Sequence, residues 1–464
     1  MRWSVFTGES LVAGYLLASL GLGVLFKSKA DSIEGFLVAN RSMGKWLLAF
    51  TFGATYFSSV VIVVGGMWGY LWGAWSLVIP VLNVILGVYF TFNFIGKKIA
   101  VIGAESGSLT IPELAARLGG GRGMRLYLAA MAAVGLTIYA ATVASGAAVM
   151  VSSVMHMGLE SSALLVVAII GAYVVMSGMY GIVWTDALQG IVMALGVALL
   201  LTAAIGHGGS GMDTSLFTRV SKSFPGLDLL LDIAVLTSVA VWGLPQLLNR
   251  FYTVRDEETV GKAGLVALVF ASIVTFGSYI TGIIARSVLP PGTPPPKVVP
   301  LMAQHLLGAV GSSIIAAAII AASMSTMDSI GLTVGSALAY DILGRRDTRS
   351  VRAFSGLMMA AVLGLVALIF SAPQNLAGSL THVFKLGWSI TGVAFIPSVI
   401  AITTGRGSPA RIVAGSLAGT GIVLVYGIAG LLGFSVPLHN LSFTIAATIA
   451  SLIVLSSGKR EKTP

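Results

Sequence analysis

Apolar runs of about 20 residues, parted by short polar breaks, follow one another along the whole chain. Read as membrane helices, they predict thirteen spans at approximately 11–26, 46–67, 74–95, 126–154, 163–181, 186–205, 229–251, 261–288, 309–340, 351–370, 386–403, 411–432 and 441–455. The ninth breaks the uniform pattern. In residues 316–341 (AAAIIAASMSTMDSIGLTVGSALAYD), a turn of roughly 100° per residue puts Ala322, Ser325, Thr326, Ser329, Thr333 and Ser336 inside an arc of about 100°, with Asp328 beside it. The remaining face is Ile, Leu, Met, Val and Ala. Polar groups facing lipid are costly, so this face must look at protein or water. Neutral hydroxyls and carbonyls suit a weakly held, hard monovalent cation, sodium first, by extension from the oxygen ligands of calcium and magnesium.

Two spans carry helix breakers in corresponding places. The second holds Gly53, the pair Ser58 and Ser59, and Gly65 and Gly66; the seventh, five spans later, holds Trp242, Gly243, Leu244 and Pro245. Five spans is the spacing of a five-plus-five inverted repeat, in which binding sites form where the spans are broken. Gly65, Gly69 and Gly73 form a small-xxx-small run that predicts close helix packing. Between spans, 106–117 (SGSLTIPELAAR) predicts a short cytoplasmic helix begun by Thr110, and the proline-rich 290–300 reads as a stiff external connector.

Composition supports one polytopic membrane domain over residues 1–464: 56% of the residues are hydrophobic, 9% are charged, and mean hydropathy is +0.95. A net charge of +10 invites a nucleic-acid reading, but the cations sit in short loops rather than on one basic face. Of the 27 Lys and Arg residues, 21 fall in one set of loops and 6 in the other, which predicts an external N-terminus and a cytoplasmic C-terminus in the plasma membrane. Residues 11–26 lack the basic start and the cleavage site of a signal peptide and read as a retained span. With no cysteine, five scattered histidines and no GKS or GKT ending at Gly119–Gly121, nothing points to an enzyme, a metal centre or ATP-driven transport.

Seven motifs then coincide in order: FLVANRSMGKW from Phe36, ATYFSS from Ala54, SLTIPELAAR from Ser108's neighbourhood, GMYGIVWTDALQG from Gly178, GLPQLLNRF from Gly243, ASMSTMDS from Ala322 and GVAFIPSVI from Gly392. Together they resemble the blocks of the sodium/solute symporter family, which includes the bacterial sodium/proline and sodium/pantothenate symporters. The resemblance implies an all-α LeuT-type core of two inverted five-helix repeats, here 46–205 and 229–403, with the helix at 11–26 before it and two helices at 411–455 after it. It also implies a sodium site made by the backbone carbonyls of Ala54, Phe57 and Ala322 and the hydroxyls of Ser325 and Thr326. The chain departs from the proline-transporting members at Tyr56, where they carry an aspartate.

Asp328, an acid at membrane depth, and Asp186 are candidates for the ion pathway. Asp186 and Gln189 also match a capping pattern at the start of the sixth span. Substrate candidates, on helices that line the pocket in the family, are Ser58, Tyr139, Thr142, Trp242, Gln246, Trp388 and Ser389. Lys385 opens an apolar span on the external side and would attract a carboxylate. The expected activity is sodium-coupled symport of a small organic solute, an amino acid or small carboxylate first, with no nucleic acid and no obligate protein partner. A proton-coupled carrier of the same fold and, behind it, an ion channel are the rivals.

Overall fold

The computed structural model describes residues 32–155, 157–176, 178–208, 224–371, 376–431 and 438–456, together with 14, 15, 17, 18 and 21, and its regular elements are all helices. Apart from those five positions, the expected span at 11–26 lies outside the described residues. A short helix α1 (Ile33–Val38) precedes α2 (Lys45–Tyr56) and α3 (Ser59–Trp72). The next element, α4, runs through Val78–Leu82, the wider-wound Asn83–Gly96 and Lys97–Ser106. Then come α5 (Ile111–Ala115), α6 (Gly121–Met155), α7 (Leu159–Met176) and α8 (Met179–Gly208). The second half holds α9 (Leu227–Val239), α10 (Pro245–Phe251), α11 (Glu257–Val288) and α12 (Val298–Ser336), followed by α13 (Thr348–Phe370), α14 (Leu376–Thr404), α15 (Pro409–Leu431) and α16 (Ser442–Leu455).

Eight helices among the described residues are long and apolar enough to cross a membrane, and the pair Leu227–Gly243 and Pro245–Phe251, bent by 50°, makes a ninth span. Thirteen were expected. The difference lies in how the apolar runs are cut. The runs at 46–67 and 74–95 fall largely within one 48-residue stretch, Ser59–Ser106, that counts once, the run at 11–26 lies outside the described residues, and Leu159–Gly171 and Ser442–Leu455 are apolar but short. At the join of α3 and α4, Gly73 turns the chain with φ of 61°, a left-handed conformation that costs glycine little.

The long α12 forms the spine of the core, packing along α8 and α6 and reaching α2, α3, α7, α10 and α13. Its central face is the one that carries the hydroxyls, and Ser325, Thr326, Asp328 and Ser329 are all buried. Between α3 and α11 the backbones themselves touch. A methyl group on Gly69 would lie 2.2 Å from the Tyr279 carbonyl oxygen, and one on Gly282 would lie 2.0 Å from that of Gly66. Gly65 and Gly69 thus serve the interface, whereas Gly73 serves the turn.

The short helix expected within 106–117 forms as its sequence predicts. Thr110 caps α5 by accepting the Glu113 N–H (3.2 Å), Pro112 sits in the first turn, and Glu113 reaches back to the Leu109 N–H (2.9 Å). One loop charge is misplaced by the sequence reading: Arg250, counted with the cytoplasmic cations, lies inside α10 with no exposed surface.

Because a side chain at Gly69 meets backbone, Gly69→Ala is expected to destabilise the fold by roughly 1–3 kcal/mol through overpacking. Gly364→Ala, whose added methyl meets nothing within 4 Å, should be neutral or slightly stabilising. Thermal melts of the purified variants separate the two outcomes.

Candidate functional site

The end of α2 decides the geometry of the site. After Tyr56 the chain leaves the helix: Phe57 has φ −97° and ψ 80°, and Ser58 is extended and caps α3 by accepting the Val60 N–H (3.2 Å). The carbonyls of the last turn therefore lose the N–H groups that a continuing helix would have supplied. Two hydroxyls of α12 answer them. Ser325 donates to the Ala54 carbonyl at 2.9 Å and Thr326 to the Thr55 carbonyl at 3.1 Å, and each hydroxyl also lies 3.1 Å from the Ala322 carbonyl. Ala54, Ala322, Ser325 and Thr326 are thus brought together as expected. Phe57 stands at the break, its N–H bonded to the Gly53 carbonyl (2.9 Å), so its own carbonyl lies beyond the last helical turn. Thr55, absent from the expected set, supplies the further carbonyl.

Next to this oxygen cluster is a charged one. Asp186 of α8 and Arg250 of α10 form an ion pair at 3.1 Å with both side chains fully buried. Thr51 and Thr55 of α2 donate to the Asp186 carboxylate, and Arg250 reaches Thr55 (3.0 Å) and Ser329. Ser329 in turn contacts the Asp328 carboxylate at 3.1 Å, joining both acids to one network. Asp186 lies two turns inside α8, which begins at Met179, so the expected capping role does not apply. Among the described residues, Asp186 Oδ1, Asp328 Oδ2 and both amide atoms of Gln189 are buried without a hydrogen-bond partner.

On the other side of the break lies a small cavity of about 20 Å³, walled by Tyr56, Trp68, Tyr139, Phe384 and Trp388 with Ser58, Asn83 and Thr237 among its polar groups. Tyr139 donates to Ser58 (3.0 Å) and stands edge-on to Trp388, with ring centroids 5.5 Å apart. Tyr56 donates to the Thr237 carbonyl (2.7 Å) in α9, linking one broken helix to the other. Further out, a pocket of about 340 Å³ opens between α3, α14 and the last two helices, with Lys385 and Ser389 on its wall.

The remaining substrate candidates part company. Trp242 turns away, donating its indole N–H to the Leu86 carbonyl (3.0 Å) and stacking on Phe90 at 4.6 Å. Thr142 Oγ1 and Gln246 Oε1 are buried without hydrogen-bond partners among the described residues and line neither cavity. Lys385 is not a free cation. It pairs with buried Asp232 at 2.8 Å, and Asp232 also accepts the backbone N–H and hydroxyl of Thr444, each at 2.9 Å.

The sodium:solute symporter family model matches residues 36–419. The chain belongs to the sodium:solute symporter family. Among its relatives is the sodium/pantothenate symporter of Haemophilus influenzae, 26% identical over 75% of this chain and 74% of that protein. The high-affinity proline transporter of Bacillus subtilis is 23% identical over 94% of both chains. The sodium/proline symporter of Escherichia coli is 25% identical over 90% of this chain and 87% of its own. In fold, this symporter-family chain is similar to a sodium-coupled sialic acid symporter, with TM-score 0.77 and 15% identity over 98% of this chain and 99% of the other. A structure of MhsT in complex with L-phenylalanine matches at TM-score 0.56, 14% identity and 89% and 98% coverage. These relatives are transporters, not enzymes.

Removing one partner of a fully buried ion pair leaves the other uncompensated, at a cost of roughly 3–5 kcal/mol. Arg250→Met should therefore lower the stability of the symporter strongly, and Asp186→Asn added to it should recover a good part of the loss. Denaturation of the single and double variants in detergent reads the difference; a double variant no better than Arg250→Met would contradict the pairing.

Proposed function

We propose that the protein is a sodium-coupled symporter that carries a small organic solute into the cell by alternating access, with sodium held between the broken end of α2 and the middle of α12. The observation that carries this reading is the convergence of the Ser325 and Thr326 hydroxyls with the Ala54, Thr55 and Ala322 carbonyls, at separations of 2.9–3.1 Å. Calcium, an ion close to sodium in radius, takes oxygens at roughly 2.3–2.6 Å, so adjacent ligands stand roughly 3.3–3.7 Å apart. Such an ion would need the cluster to open by only a few tenths of an ångström. Binding would turn the two hydroxyl protons away from the carbonyls and present the oxygen lone pairs. The carbonyl of Phe57, just past the helical turn, completes the ligand set in this reading.

The electrostatics support a cation. Asp186 and Asp328 set two carboxyl groups beside the single guanidinium of Arg250, all three buried close to the cluster, so that with both acids ionised the group carries one net negative charge. One monovalent cation balances that sum, sparing the cost of an uncompensated buried charge. In the proposed cycle sodium stabilises the state open to the outside by tying α2 to α12, and solute joins it at the breaks. The two inverted repeats, 46–205 and 229–403, then rock against each other and release both inside. The loop charge bias supports an external N-terminus and a cytoplasmic C-terminus in the plasma membrane. The preference for an amino acid or small carboxylate rested on Lys385 and on the family resemblance, and the Lys385 charge is committed to Asp232.

Tryptophan fluorescence of the purified protein, titrated with sodium and with potassium, tests the reading. A saturable response selective for sodium is expected, with half-saturation raised at least about tenfold in Ser325→Ala/Thr326→Ala, some 1.4 kcal/mol of binding energy. Equal responses to the two ions, or an unchanged variant, would bring a proton-coupled or uncoupled carrier forward.

A further inference from the structure

Taking the chain as a sodium-coupled carrier, the two cavities say what kind of solute it takes. The inner one is walled by six aromatic side chains, Tyr279 among them, and its polar groups are hydroxyls, indole N–H groups and the Asn83 amide; among the described residues no charged side chain lines it. The outer pocket has a single Lys on its wall, Lys385, and Asp232 neutralises it at 2.8 Å. A second acid stands close by: Asp228 accepts a hydrogen bond from Asn440, also on that wall, at 2.8 Å. The way in therefore passes two carboxylates for one ammonium. Broken helices offer another seat for an anion at their N-termini. At the first break that seat is filled, because the Ser58 side chain already takes the Val60 N–H (3.2 Å); at the second, α10 is seven residues long and opens on Pro245, which has no N–H to offer.

A bare carboxylate moving into the inner cavity would give up its hydration without a cation in return, a loss of several kcal/mol. An uncharged ring loses far less. Its faces would lie against aromatic faces, and its hydroxyl or amide groups would find Ser58, Tyr139 and Asn83. Tyr56 belongs to the same argument. Its ring, 6.3 Å from that of Trp388 at an interplanar angle of 25°, extends the aromatic wall. Glycine at position 87 makes room for it, since a methyl there would lie 2.2 Å from the Tyr56 hydroxyl. The inner cavity now has room for about one water. Solute would be received first in the outer pocket, whose volume of about 340 Å³ falls within the range of small-molecule sites. It would move inward as the rings part.

We propose that the transported solute is an uncharged, ring-shaped polar molecule, such as a sugar, a cyclitol or a nucleobase, recognised by aromatic faces and hydroxyls rather than by charge. The test is the thermal stability of the purified protein in sodium, with galactose, myo-inositol and uracil set against proline, pantothenate and N-acetylneuraminate. At least one neutral ring should give a saturable upward shift that is lost in potassium, and none of the three carboxylates should. Trp388→Leu should weaken binding of the active ring about tenfold. A shift with any carboxylate, no shift with any neutral ring, or unchanged affinity in Trp388→Leu overturns the proposal. The response to sodium alone is read in the same experiment, so loss of sodium coupling is told apart from a wrong solute class.

Discussion

The structure depends on one local constraint: a helix that stops in the middle of the molecule leaves carbonyls without N–H partners, and burial forbids water from serving all of them. At the end of α2 those carbonyls belong to Ala54 and Thr55, and the hydroxyls of Ser325 and Thr326 meet them. The same pairing fixes the rotation of α12. Once Ser325 and Thr326 face the break, the helical period brings Ser329 to Thr55 and Arg250, and the apolar face turns to α6 and α8. In the proposed reading sodium replaces these hydrogen bonds at nearly the same spacing, which makes a joint that an ion can tighten or release.

Around that joint the protein places its charges in self-sufficient groups. Arg250 has Asp186, Thr55 and Ser329, and Lys385 has Asp232. Neither cation is left to bind a passing anion. α3 and α11 are packed through glycine at Gly66, Gly69 and Gly282, where the backbones meet. Tyr56 ties the two broken helices directly, donating across to the Thr237 carbonyl. The hydroxyl–carbonyl cluster, the aromatic cavity and the link to the second break therefore share one short stretch, from Ala54 to Ser58.

Much of this is written locally. The hydroxyl stripe of α12 is a matter of helical period, the breaks at Ser58 and Gly243–Pro245 are visible as breakers, and the α5 cap is a four-residue pattern. What local pattern does not contain is partnership across the chain. Arg250 reads as a loop cation because it sits near other loop cations, yet its partner lies in α8. Lys385 reads as a free charge at a helix start, since its partner Asp232 is one of only two acids in the apolar run of α9, far off in the chain. Trp242 sits beside a breaker and faces Phe90 instead of the cavity, a choice made by which side of α4 it packs on. Nine of the thirteen expected spans are counted among the described residues, because a run of apolar residues does not say where the helix within it begins, ends or joins the next.

The central claim is that sodium sits where α2 breaks against α12, and its location is most directly tested by hydrogen exchange of the backbone amides in sodium and in matched potassium. Slower exchange in sodium, confined to peptides covering the stretch around Phe57–Val60 and the α12 segment around Ala322–Ser329, is the expected result. No difference between the ions, or protection only in segments remote from both, would contradict the account.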